Sequence, residues 1–248
     1  MLAVLGVPLG LLALLAVEAA VAMRGEGVPY EEPPRTAELL GRGPALSYVV
    51  LGDSTGVGQG ALYRSGVAVS TARRLARGRR VSLLNLAVSG ATAADVLAEQ
   101  VDAAARARPD LVLLAVGAND VTHLTTSGRL RADLLAIVDR LRPAGCGPAV
   151  VVTGSPEVGV VPRLAQPLRL AARVRTLRVN EVFAAVAGER DLVFAPVARE
   201  TGPLFGRDPT LFAADRFHPN ARGYATWVPV IDRASSEALR DGSGAGCR

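Results

Sequence analysis

The 248-residue chain contains no lysine: all 28 basic residues are arginine, set against 23 acidic ones for a formal charge of +5. A phosphate-reading surface gains from arginine forks but has no reason to exclude lysine. Coding bias, which also explains the abundant alanine, is the simpler cause, so the charge implies no nucleic-acid partner. The tightest basic run is Arg73, Arg74, Arg77, Arg79 and Arg80. No aromatic residue interleaves with it, as a base-stacking platform would require, and it reads as a solvated helix face. Cysteine is equally sparse. Cys146 and Cys247 are too few for a disulfide scaffold, although they can pair with each other in an oxidising compartment. With only two histidines besides, a structural zinc site is not expected. Collagen-like and heptad repeats are absent. The 26 glycines and 16 prolines stay below the share that marks low-complexity disorder, roughly 25–30%. Long apolar runs are too few for a multi-pass membrane protein.

One apolar run is present, at the start. Residues 2–17 are apolar or Gly/Pro throughout, and the stretch continues past Glu18 to Met23. It is short for a spanning helix of about 20 residues. It suits a signal peptide or membrane anchor over 1–23, with Ala20-Val21-Ala22 as a small-x-small cleavage site. Membrane association through residues 2–22 and an extracytoplasmic location follow as expectations. Two features oppose them: no basic residue precedes the run, and Arg24 follows it, which under the positive-inside rule favours a cytoplasmic domain. The alternative is a hydrophobic helix packed on the domain. Residues 24–45 hold Pro29, Pro33, Pro34 and Pro44 and read as a linker. Residues 46–240 read as the single domain and 241–248 as a flexible tail.

Within that domain, short apolar runs alternate with helical patterns. The strand-like runs are 47–51, 81–86, 111–116, 149–153 and 192–196, and the helical candidates are 66–78, 92–107, 129–141, 169–188 and 219–239. Strands that are apolar throughout, alternating with helices, predict an α/β fold: a central parallel five-stranded sheet covered on both faces, in a three-layer α/β/α sandwich. Ligands of such sheets bind beyond the carboxyl ends of the strands. The conspicuous polar residues fall there: Ser54 after the first strand, Gly90 after the second, Asn119 after the third.

Four motifs carry chemistry. In Gly52-Asp53-Ser54-Thr55-Gly56, glycines allow a sharp turn that presents the Ser54 hydroxyl, which needs a base to become a nucleophile. Asp215-Arg216-Phe217-His218-Pro219 offers His218 as that base, with Asp215 three residues earlier to orient its other ring nitrogen. Pro219 is placed to start the last helix. In Gly117-Ala118-Asn119-Asp120, the Asn119 amide can donate to a developing oxyanion, or Asn119 or Asp120 can simply cap a helix. In the run Asn85 to Ala91, Gly90 lets a backbone N–H approach the same oxyanion, or marks an ordinary turn. Gly52-x-Ser54-x-Gly56 also fits the nucleophile elbow of α/β-hydrolases. That fold is rejected because Ser54 follows the first core strand and Asp215 lies only three residues before His218.

Taken together and in this order, the four motifs resemble the SGNH hydrolases, also called the GDSL esterase/lipase family, over roughly residues 46–235. The stretch Gly117 to Leu124 looks like a bacterial exported or membrane-anchored subgroup. The resemblance implies the flavodoxin-like SGNH fold and a catalytic triad of Ser54, Asp215 and His218. It also implies an oxyanion hole from the Ser54 amide, Gly90 and Asn119, and no metal or organic cofactor. The implied reaction is hydrolysis of carboxylic esters, short-chain acyl or acetyl esters foremost, through an acyl-enzyme on Ser54. The substrate partner is then a small-molecule ester or an acylated glycan or lipid. Thr55 stands where the family's nickname expects Leu, at a position that varies. An O-acyltransferase acting on a glycan has the same motifs, whereas a silent carbohydrate- or lipid-binding module should have lost some of them.

Other residues have plainer readings. His123, the second histidine, has no acid at a matching spacing to orient it as a base. Asp53 fixes its turn through backbone hydrogen bonds, and Asp120 is a cap or a group that supports the site residues from behind. The loop 154–167 follows the fourth strand on the same side as the motifs and can line an acyl pocket through Val158, Val160, Val161 and Leu164. Arg163, Arg169, Arg173, Arg175 and Arg178 read as a solvated helix face, and Tyr224 and Trp227 as core.

Overall fold

The computed structural model describes residues 14–21 and 27–240. Residues 14–21 are helical (α1), and from residue 27 an extended passage leads to strand β1 (Glu38–Leu40). Then come β2 (Ala45–Gly52), α2 (Ser54–Val57), α3 (Val67–Leu75) and β3 (Arg80–Asn85). A helical passage follows as α4 (Ala93–Asp95), a π-helical turn (Val96–Gln100) and α5 (Val101–Ala107). After β4 (Leu111–Ala115) come α6 (Ala118–Thr122) and α7 (Ser127–Leu141). The chain ends with β5 (Ala149–Val152), α8 (Leu168–Glu189), β6 (Val193–Phe194), α9 (Val197–Arg207) and α10 (Ala221–Arg240).

The strands form one six-stranded sheet in the order β1-β3-β2-β4-β5-β6. The five expected strands are there and mutually parallel. The five-stranded, wholly parallel sheet is nevertheless corrected: β1 adds a sixth strand, antiparallel to β3. It lies inside the stretch read as linker. Three residues, Glu-Leu-Leu, are too few to show a period, and only pairing with β3 makes them a strand. Among the parallel strands the order is that of flavodoxin-like folds. β2, β4 and β5 form the buried centre: Tyr48 to Leu51, Leu111 to Leu114 and Val150 to Val152 are all almost inaccessible. That double-sided burial is why these runs are apolar at every position rather than alternating. Helices α3 and α10 pack together over one face, and α5, α7 and α8 over the other.

Two helical expectations need correction. The last helix begins at Ala221, not at Pro219. Asn220 caps it, its Oδ1 accepting from the Arg222 and Gly223 amides at 3.0 and 3.1 Å, while Pro219 bridges to Phe212. Helix α9 was not foreseen, because Gly202, Pro203 and Gly206 read as breakers. Phe205, Thr201 and Val197 bury its inner face and hold it helical nonetheless.

Among the described residues, no helix is long and apolar enough to cross a membrane. In α1 the Glu18 carboxylate accepts from the Leu168 amide at 2.9 Å, capping the start of α8. Residues 2–13, the end of the cleavage motif at Ala22, Arg24 and the tail 241–248 lie outside the described residues. Cys146 is disulfide-bonded, and Cys247 lies outside them too.

Candidate active site

The site forms where β2 and β4 end side by side, the point at which the order of the parallel strands reverses. β2 stops at Gly52, whose φ of +148° and close passage force the choice of residue. A Cβ there would sit 2.0 Å from the Ala115 carbonyl oxygen. Asp53 then caps α2, accepting from the Thr55 amide at 2.8 Å and the Thr55 hydroxyl at 2.7 Å. Its second oxygen accepts from the Gly117 amide at 3.3 Å, tying the Ser54 turn to the end of β4. Ser54 is thereby held as the first residue of a short helix, and Gly58, in a left-handed conformation, ends that helix four residues later. Asn85 donates from Nδ2 to the Gly56 carbonyl at 2.9 Å, so the second motif braces the first.

The last motif arrives from the far end of the chain. His218 Nε2 lies 3.1 Å from Ser54 Oγ, across a separation of 164 residues. His218 Nδ1 lies 2.6 Å from Asp215 Oδ2. The other Asp215 oxygen accepts from the Phe217 and His218 amides, each at 3.0 Å. Asp215 therefore fixes both the backbone and the ring of the residue it serves. Burial raises the Asp215 carboxyl, but the hydrogen bond from His218 and the two amides outweigh it and hold the group below the usual carboxylate range. With Nδ1–H donated to a carboxylate, the Nε2 lone pair faces the serine hydroxyl.

Asn119 caps nothing. Helix α6 is capped at Gly117 without a side chain, and Asn119 Nδ2 donates to the Ala91 carbonyl at 3.0 Å. That bond uses one amide hydrogen, fixes the side chain beside the Gly90 loop and leaves the second hydrogen to donate elsewhere. Gly90 itself is exposed, with a left-handed φ of +88°. Asp120 reaches across to the Ala93 amide at 3.1 Å at the start of α4. His123 is exposed, its Nδ1 2.9 Å from the Asn119 carbonyl, and does not line the cavity at Ser54. Arg175 donates to the Asp120 and Thr125 carbonyls, and Arg169 to that of Val161, so two arginines read as solvated serve to fix loops.

Two glutamines at the site went unnoticed in the sequence. Gln100, on the π-helical turn, exchanges a pair of hydrogen bonds with Gly52, donating to its carbonyl at 2.9 Å and accepting from its amide at 2.8 Å. Gln59 is buried and accepts from the Ser89 hydroxyl at 2.6 Å. It donates to the Val28 carbonyl at 3.2 Å, and its own carbonyl accepts from the Tyr224 hydroxyl at 2.8 Å. Tyr224 is thus buried as expected, but with its hydroxyl serving the Ser54 turn. A lone glutamine carries no sequence signature, and only the folded chain shows what these two join.

An apolar cavity of about 30 Å3 opens at Ser54 and His218. Val158, Val160 and Val161 line it, together with Phe205, Phe212 and Trp227. Leu164, also expected there, is buried outside it. Among the described residues, no group of three His, Cys, Asp or Glu side chains could hold a metal ion.

Residues 50–226 match the GDSL-like lipase/acylhydrolase family. The chain belongs to that family. It is accordingly a serine ester hydrolase, and its substrates are small-molecule esters. It is similar to the GDSL-like esterase Rv1075c of Mycobacterium tuberculosis (strain ATCC 25618 / H37Rv), with 34% identity over 231 residues, covering 86% of this chain and 72% of that one. Among solved structures it resembles TesA, with a TM-score of 0.64 and 22% identity over 77% of this chain and 99% of the other. It also resembles a catalytic mutant of Axe2, an acetylxylan esterase from Geobacillus stearothermophilus. There the TM-score is 0.59 and the identity 20%, over 79% of this chain and 96% of that one. At these identities the two structures share the SGNH hydrolase fold with this chain.

Proposed function

We propose that this GDSL-family esterase cleaves short-chain acyl esters, acetyl esters foremost, through an acyl-enzyme on Ser54. One observation carries the reading: the hydrogen-bonded series from Ser54 Oγ to His218 Nε2 at 3.1 Å and from His218 Nδ1 to Asp215 Oδ2 at 2.6 Å. His218 takes the Ser54 proton as Oγ attacks the ester carbonyl, and the ionised Asp215 stabilises the imidazolium that forms. The carbonyl oxygen becomes an oxyanion that accepts from the Ser54 amide, the Gly90 amide and the Asn119 side chain. His218 then gives its proton to the departing alkoxide, the C–O bond breaks, and the alcohol leaves. Water, deprotonated by His218, attacks the acyl-serine; the C–Oγ bond breaks, His218 returns the proton to Ser54 Oγ, and the carboxylic acid leaves.

The cavity supports the acyl length. Only about 30 Å3 opens at Ser54 and His218, closed in by Val158, Val160, Val161 and Phe205, which favours a small acyl group. The apolar N-terminal segment and the disulfide at Cys146 support an extracytoplasmic location. p-Nitrophenyl acetate turnover tests the reaction: Ser54→Ala is expected to lower kcat by about 10⁶-fold while the protein stays folded. Turnover by that variant near the wild-type rate would refute it.

A further inference from the structure

A thin wall separates the catalytic cavity from a far larger groove. The groove, about 670 Å3, lies between α8 and α9 beside β6, with Leu177, Ala184, Phe194 and Pro203 among its apolar lining. Glu157, Val160 and Gly202 line both spaces, so they form one partition seen from two sides. The partition is tightly packed. A Cβ on Gly202 would stand 2.9 Å from the Glu157 Cβ. The Glu157 side chain is pinned by the Gly159 amide, which donates to Oε1 at 2.9 Å.

We propose that Glu157 and Val160 set the acyl-chain length this esterase accepts, and that the groove behind them is the space a longer chain enters when the wall is cut back. The inference rests on the reading that Ser54 carries the acyl group. With the carbonyl carbon bonded to Ser54 Oγ, a chain running into this small cavity meets the wall of Glu157 and Val160. Further methylenes then have no room, and they press against a carboxyl group that an apolar chain cannot solvate. With the wall removed, each added methylene passes from water into the apolar groove, a gain of about four-fold in kcat/KM.

The test compares p-nitrophenyl acetate, butyrate, hexanoate and octanoate on the full chain, Val160→Ala and Glu157→Ala, with thermal unfolding as a check on folding. The wild type is expected to lose about ten-fold or more in kcat/KM from acetate to hexanoate. In the variants the hexanoate-to-acetate ratio should rise by about ten-fold. A merely structural weakening lowers both esters together and leaves that ratio unchanged. A parallel series of methyl, butyl and hexyl acetates varies the alcohol alone and should respond equally in all three proteins. An unchanged acyl ratio in either folded variant, a wild type that already prefers hexanoate, or a shift confined to the alcohol series would overturn the proposal. If the wild type fails to hydrolyse p-nitrophenyl acetate at all, it is the esterase reading of Ser54 that falls.

Discussion

The turn that carries Ser54 and the loop that carries His218 each contain a buried aspartate, and the two behave in opposite ways. Asp53 receives only neutral donors: the Thr55 amide, the Thr55 hydroxyl and the Gly117 amide. Burial dominates, these hydrogen bonds offset part of it, and its carboxyl is pushed up to about 6. Asp215 is also buried, but its partners include an imidazole that can become a cation, and its carboxyl is held below the usual range. The same side chain is a scaffold in one place and a standing negative charge in the other. Burial is the larger influence on Asp53, the more deeply enclosed of the two, whereas at Asp215 the His218 hydrogen bond together with the Phe217 and His218 amides outweighs it.

The sharpest way to break this contrast is to remove each charge in turn. Asp215→Asn should lower kcat on p-nitrophenyl acetate by about 10⁴-fold, because the amide no longer enforces the productive tautomer or stabilises the imidazolium. An effect below ten-fold would remove Asp215 from the reaction. Asn119→Ala should come next, at about 10²–10³-fold in kcat with little change in KM, since the role proposed for its free amide hydrogen is to serve the developing oxyanion. A change confined to KM would make Asn119 a binding group instead.

Asp53→Asn sharpens the comparison through stability. Folded Asp53 keeps its proton up to about pH 6, whereas the ordinary carboxyl value is 3.8. The folded state therefore binds more protons between these values. The stability this group contributes is full below about pH 4 and is lost as pH rises to about 6. The stability of Asp53→Asn relative to wild type should rise across that window by up to about 3 kcal/mol, read from denaturant unfolding at pH 4 and pH 7. A constant difference would show that Asp53 does not titrate there. The smallest effect is expected at His123, exposed and outside the lining of the cavity at Ser54. His123→Ala should leave kcat/KM within about two-fold and stability within about 0.5 kcal/mol.

Much of the scaffold was legible because double-sided burial writes itself into sequence as unbroken apolar runs. Tyr48 to Leu51 and Leu111 to Leu114 announce their strands without help from context. Strand β1 and helix α9 were not legible, since each owes its structure to a neighbour: β1 to pairing with β3, and α9 to packing that overrides Gly202 and Pro203. At the site, Ser54, Asp215 and His218 stand in short motifs at a strand end or loop, and hydrogen bonds join the three in the fold. Gln59 and Gln100 were not legible, because a glutamine's role is defined by the carbonyls and amides it meets. The wall of Glu157, Val160 and Gly202 was half visible: the valines of loop 154–167 suggested a pocket lining, but nothing in the sequence placed α9 against them.

Covalent capture of the nucleophile is the most direct measurement. The full chain is treated with a fluorophosphonate, digested, and the adduct located by mass spectrometry. A single adduct on Ser54 is expected, absent in Ser54→Ala and slowed by orders of magnitude in His218→Ala. Labelling that persists in Ser54→Ala, or a folded and ester-cleaving protein that takes no label at Ser54, would contradict a mechanism built on this serine.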